Sequence, residues 1–121
     1  MREYEIVYNG PGVSLNQWYA SSHWKKRHSL KKKYKDIFSG LFLEAGMHLG
    51  PKMQQFDVRL EYRSTMDVDN TIAMVKIAVD TMKGLCVPED NRNHFKRVIL
   101  EYNPNLKHNT YIFRIRELDG N

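Results

Sequence analysis

At 121 residues the chain has room for one domain with one core and not for a second of ordinary size. Hydrophobic residues make up 41% and charged residues 27%, a balance that argues against wholesale disorder and against a membrane protein. Nineteen Lys and Arg against fourteen Asp and Glu leave a net charge of +5, which favours polyanionic partners. No apolar run approaches the roughly 18 residues of a spanning helix. The start, Met1-Arg2-Glu3-Tyr4-Glu5, lacks the apolar centre of a signal peptide, so the expectation is a cytoplasmic protein with no membrane partner. Cys86 is the only cysteine, which excludes an internal disulfide and leaves oxygen ligands for any hydrolytic metal.

In chain order, Tyr4, Ile6 and Tyr8 share one side of a strand predicted over residues 3 to 8, and Asn9-Gly10-Pro11-Gly12 ends it with turn chemistry. A loop is expected from there to about Trp24, with Trp18 and Trp24 either anchoring it or stacking on bases. Leu30, Tyr34, Ile37, Phe38, Leu41, Phe42 and Ala45 recur at helical spacing, so a helix is predicted from Leu30 to about His48, capped by Ser29 and stopped by Gly50-Pro51. Phe56, Val58, Leu60 and Tyr62 alternate with Asp57, Arg59, Glu61 and Arg63, the period of a half-buried strand. A second helix is predicted from Asn70 or Thr71 to Lys83, with Ile72, Val75, Val79 and Met82 on its apolar stripe and Gly84 past its end. Residues 95 to 102 and 110 to 116 read as two strands, expected to pair as a hairpin across Asn103-Pro104-Asn105. With no repeat or linker, this β-α-β-α-β-β order over residues 1–121 predicts a single α+β domain, two main helices on a mixed or mainly antiparallel sheet.

Met66-Asp67-Val68-Asp69-Asn70 sets two carboxylates two residues apart where a strand hands over to a helix. Two readings stand. On extended backbone, alternate side chains share a side, so Asp67 and Asp69 can converge on one hard cation. Alternatively, Asp69 or Asn70 caps the helix and meets its dipole with no metal present. A metal site needs a third oxygen donor, and Glu89-Asp90 supplies acidic candidates on the loop after the helix. Along the helix Asp69, Lys76 and Asp80 keep near one face, a line that Ala73 and Lys83 continue. The plain alternative there is a solvated face with a Lys76–Asp80 ion pair. The five histidines are scattered with no zinc spacing; His94 alone lies near the acidic loop.

Asp67-Val68-Asp69-Asn70, Lys76, Asp80-Thr81-Met82 and Glu89-Asp90 resemble the RusA pattern of Asp-x-Asp-Asn, a helical Lys, Asp-x-Leu and a later acidic pair. Gly10-Pro11-Gly12-Val13-Ser14-Leu15-Asn16 stands where that family has a Pro-rich turn, Ser and Asn, so Asn16 joins Asn70 and Asp80 as a supporting residue. The chain departs from the pattern in having Glu89 for the usual Asp, and Lys76 seven residues after Asp69 where the family holds its lysine about four after. That moves the ammonium roughly 4.5 Å along the axis while keeping its face. The resemblance implies a homodimeric, Mg²⁺-dependent Holliday junction resolvase of bacterial or phage origin, serving recombination and repair. It implies Asp67, Asp69, Asp90 and Glu89 as metal ligands, with Lys76 acting on the developing charge.

Lys25, Lys26, Arg27, Lys31, Lys32, Lys33 and Lys35 crowd one stretch and form the candidate DNA surface. On a helix starting near Ser29, Lys31 to Lys33 would oppose the dipole at a cost of roughly 0.3 kcal/mol each, so phosphate contact explains what stability does not. The alternative is a solvated lysine face. Three functions follow: a junction-resolving nuclease, a nuclease for other branched DNA, or a non-catalytic basic DNA-binding module.

Overall fold

Alternating apolar and polar side chains build the sheet. The computed structural model describes residues 1–20 and 24–119. Its elements are β1 (Glu3–Asn9), α1 (Leu15–Ala20), α2 (Trp24–Glu44), β2 (Phe56–Arg63), α3 (Val68–Met82), β3 (Phe95–Tyr102) and β4 (Thr110–Glu117). The four strands form one mixed sheet in the order β1-β4-β2-β3, so the chain is an α+β fold of three helices on a four-stranded sheet. Ile6 and Tyr8 of β1, Val58, Leu60 and Tyr62 of β2, and Tyr111, Phe113 and Ile115 of β4 are buried against α2 and α3. Each such side chain contributes on the order of 2 kcal/mol of transfer free energy. No helix among the described residues is long and apolar enough to cross a membrane.

The opposite face of the sheet is closed by charge. Asp57 accepts from Arg97 at 3.0 Å and Arg116 at 2.7 Å, Arg59 pairs with Glu101 at 2.5 Å, and Glu61 pairs with Arg114. The Asn103 amide, helped by Arg114 and opposed by partial burial, holds Glu61 below the usual carboxylate range.

The expected hairpin of residues 95–102 and 110–116 does not form. β3 lies parallel to β2, from Val58 opposite Val98 to Tyr62 opposite Tyr102, while β4 runs antiparallel along the other side of β2. β4 buries Tyr111, Phe113 and Ile115 and so belongs inside the sheet, whereas most of β3 is exposed and belongs at an edge. The connection crosses the end of β2. There the Arg63 guanidinium donates to the carbonyls of Pro104 at 3.2 Å and Leu106 at 2.8 Å, and the Asn103 N–H donates to the Tyr62 carbonyl at 2.8 Å.

Two helical expectations also change. α2 starts by Trp24, so Ser29 is an interior residue and Lys31, Lys32 and Lys33 lie well inside the helix. The dipole cost assigned to those lysines therefore disappears, because that field is confined to the terminal turns. The loop expected up to Trp24 contains α1, nucleated by a reciprocal cap: Gln17 N–H donates to Ser14 Oγ at 3.0 Å, and Ser14 N–H donates to Gln17 Oε1 at 2.9 Å. Gly84, at φ 76°, takes the left-handed position just past α3.

A tyrosine layer locks the turn after β1 onto the sheet. Tyr8 and Tyr34 both donate to the Pro11 carbonyl, at 2.7 and 2.8 Å. Burial, with the neighbouring Tyr8, pushes the Tyr34 phenol up to about 12, so it stays a neutral donor. Tyr62 and Tyr111 stack at 6.0 Å between ring centres. Gly12 sits so close to the Tyr111 hydroxyl that an added Cβ would collide with it, and that Cβ would also lie 2.9 Å from the Met66 side chain. Gly12→Ala should therefore cost about 2 kcal/mol by overpacking. Gly40→Ala, with nothing within 4 Å of the new methyl, should instead gain up to about 1 kcal/mol in α2. Urea unfolding of the two variants measures both.

Candidate functional site

The amino-terminal end of α3 is held by the tyrosine layer. Tyr62 donates to the Met66 carbonyl at 2.8 Å and Met66 N–H donates to Ser64 Oγ at 3.1 Å, which fixes the short link from β2. Asp67 is the N-cap residue, with φ −69° and ψ 159°, yet its carboxylate makes no capping bond. Its carbonyl accepts instead, from Thr71 N–H at 3.1 Å and Thr71 Oγ1 at 2.9 Å. Asp69 is already in the first helical turn, and its Oδ1 accepts from the Asn70 N–H at 3.0 Å. The cap thus falls two or three residues before the expected Asp69 or Asn70, and the extended-strand argument for Asp67 and Asp69 sharing a side does not apply across Val68. Both carboxylates are exposed; Asn70 is half-buried. Asn16, also exposed, lies in α1.

The other end of α3 carries a second acidic station built around Lys83. Its Nζ lies 3.2 Å from Asp90, 3.5 Å from Asp80 and 3.5 Å from Glu89. Partial burial works to lower the Lys83 pKa, but the hydrogen bond and charge of Asp90, followed by the charge and hydrogen bond of Asp80, win and raise it above the ordinary lysine value. Sequence reading places Lys83 only as a continuation of the α3 ridge. The signal for its role is its i,i+3 spacing from Asp80, with Glu89-Asp90 returning soon after. Asp80 is thereby tied to Lys83.

Asp67 and Asp69 do not meet Asp90 or Glu89 within one chain. Asp67 follows the carboxyl end of β2, and Asp90 precedes the amino end of β3. Because β2 and β3 are parallel, those are opposite ends of the sheet. α3 spans the gap: Asp69 and Asp80 are eleven residues apart, roughly 16 Å along the axis. A Mg²⁺ ion needs its oxygens at about 2.1 Å. Among the described residues no group of three or more His, Cys, Asp or Glu is placed to hold a metal ion. The expected ligand set thus does not fit Mg²⁺ in a single chain; the residues that do come together are Asp80, Glu89 and Asp90, with a lysine already between them.

Between α3 and β3 lies an open cleft of about 690 Å³, lined on the apolar side by Trp18, Ile72, Val75, Val79, Phe95 and Val98. Lys31, His28 and Lys76 bring positive or ionisable groups to it, and Asp80 and Asp90 bring acids. Trp18 is 8% exposed, and the Lys31 ammonium sits 5.3 Å from its ring centre, so Trp18 anchors α1 and does not present a free stacking face. Lys31, Lys32, Lys33 and Lys35 are all exposed on α2. At 100° per residue they surround its solvent half, with Lys31 and Lys35 together, Lys32 outermost, and Lys33 on the far flank near the Tyr34 ring. The expected patch is thus a belt. Lys25, Lys26 and Arg27 fall at the start of α2, and the expectation for their side chains, like that for Trp24, lies outside the described residues.

No protein-family model matches the chain, and no curated protein matches it.

Lys83→Met should release the segment of residues 88–92 by removing the ion shared among three carboxylates. Amide hydrogen exchange there should quicken, while global stability falls by no more than about 1 kcal/mol, because these partners are half exposed.

Proposed function

We propose that the chain is a Mg²⁺-dependent endonuclease of the RusA type that acts as a homodimer on four-way DNA junctions, with its acidic set completed between two copies. The observation that supports this reading is the exposed pair Asp67 and Asp69 at the start of α3, where the Asp67 carboxylate is left unused by the helix cap. With Asn70, Asp80 and Asp90 they carry the resemblance to that family's pattern, from which Glu89 and the spacing of Lys76 depart. One chain separates Asp67 and Asp69 from Asp90, so the reading requires Asp90 from a second copy. Two-fold symmetry then yields two equivalent sites, matching the two opposed strands of a junction. The lysine belt of α2 grips phosphates and positions the DNA without reading its sequence. Lys76 and Asp80 both line the cleft, and on this reading Lys76 holds a phosphate there.

A second reading has its own support. The carboxylates of Asp80, Glu89 and Asp90 already share the Lys83 ammonium, which stands where a metal ion would have to bind and so suits a basic module that binds branched DNA without cutting it. Cleavage of a labelled junction in Mg²⁺ separates the two, since the binder shifts its mobility and leaves it whole.

Subunit mixing tests the shared site. Asp69→Asn and Asp90→Asn should each abolish cutting. When the two variants are mixed, each heterodimer regains one intact site and nicks a single strand, at about a quarter of the wild-type total. If both sites lie within single chains, the mixture stays inactive.

Salt dependence tests the belt. Changing Lys31, Lys32 and Lys33 together to Ala should flatten the slope of log affinity against log salt by about 2 to 3 for duplex arms. An unchanged slope places the DNA elsewhere.

A further inference from the structure

The two edges of the sheet are unlike. On β1 the charged side chains are Glu3 and Glu5, so a second copy laid antiparallel along it would bring acid towards acid. On β3 the cations Lys96 and Arg97 occupy one half and Glu101 the other, with Val98, Ile99 and Leu100 between. Val98, Ile99 and Tyr102 are 40%, 38% and 46% exposed, large apolar groups on a strand that has a neighbour on one side only. Natural edges are ordinarily blunted by brevity, bulges or inward charge. This one runs for 8 residues with a single register shift, near its start.

The backbone fixes which groups face outward. The Asn103 N–H points to β2, donating to Tyr62, so with a period of two Val98, Leu100 and Tyr102 turn their N–H and C=O groups to the open edge. We propose that β3 is the seam of a homodimer, pairing antiparallel with β3 of a second copy about a two-fold axis at Ile99. In this register Val98 and Leu100 of opposite copies exchange backbone hydrogen bonds. Arg97 faces Glu101 of the second copy, Lys96 faces the Tyr102 ring, and Ile99 faces its own counterpart. A slip of one hydrogen-bonding step either way sets Arg97 against Ile99 or Asn103 and loses both charge pairs, so the side chains select the register. The apolar cleft reaches the same edge through Phe95 and Val98, and the second copy covers its open side.

The pairing also has a consequence for the acids. Two antiparallel β3 strands set the start of one beside the end of the other, which brings Asp90 of one copy to the same end of the joined sheet as Asp67 and Asp69 of its partner. That link rests on the nuclease reading; the seam rests on the edge strand alone.

Directly opposed residues in a non-hydrogen-bonded antiparallel pair have Cα atoms about 4.5 Å apart, within disulfide range. Oxidation of an Ile99→Cys chain should therefore convert most of it to a covalent dimer on a non-reducing gel. Native Cys86 is only 2% exposed, and Val7→Cys, on the exposed side of β1, should stay single. Val98→Pro removes an outward N–H and leaves the ladder to β2 intact, so its light-scattering mass should fall to 14.3 kDa with an unchanged circular dichroism spectrum. An Ile99→Cys chain that stays uncrosslinked under oxidation, or a folded Val98→Pro chain that stays dimeric, overturns the seam. Crosslinking at residue 99 in a protein that cuts no junction upholds the seam and removes the nuclease reading. Junction cleavage without that crosslink does the reverse.

Discussion

The parallel pairing of β2 with β3 constrains everything else in this fold. A parallel neighbour requires a crossover, and α3 supplies it by running from the carboxyl end of one strand back to the amino end of the next. Residues just before α3 and residues well after it are thereby carried to opposite ends of the sheet, whatever their chemistry. Asp67 and Asp69 go to one end, and Asp80, Glu89 and Asp90 gather at the other around Lys83. On the proposed function, the crossover is why the acids need a second copy to be complete.

Much of the local structure was legible from periodicity. β2 follows a strict two-residue alternation, while β1 and β4 bury alternate residues beneath the helices but carry Val7 and Ile112 on the other face. The apolar spacing from Leu30 to Phe42 marked the body of α2. Its start was missed because Lys25 to Arg27 carry no apolar stripe to extend the pattern, and α1 was missed because its signature is the short cap Ser14-Leu15-Asn16-Gln17 and not a periodic run. The pairing of β3 was hidden for a physical reason. A short polar link between two strands usually signals a hairpin, and only the burial of β4 against the exposure of β3 decides which strand goes inside.

The candidate site was legible as a set of residue types but not as a place. Spacing put Asp69, Lys76 and Asp80 on one ridge of α3, and the helix does carry them there. Spacing could not reveal that Asp90 would be held by Lys83, since that contact depends on where the chain returns after Gly84. The lysines show the same division. Their positive charge and their place on a helix were evident, but not that the helix begins at Trp24 and so carries them in its interior. The ion pairs of Asp57, Glu61, Arg114 and Arg116 cover the outer face of the sheet and leave α2 as the broad basic surface among the described residues.

Spin labels at positions 69 and 90 read the central geometry directly by pulsed electron resonance. In one sample both labels sit on the same chain, diluted with unlabelled protein; in the other they sit on different chains mixed one to one. The account predicts the shorter distance between chains and the longer within one. A shorter distance inside the single chain would contradict it, because the acids would then meet without a partner.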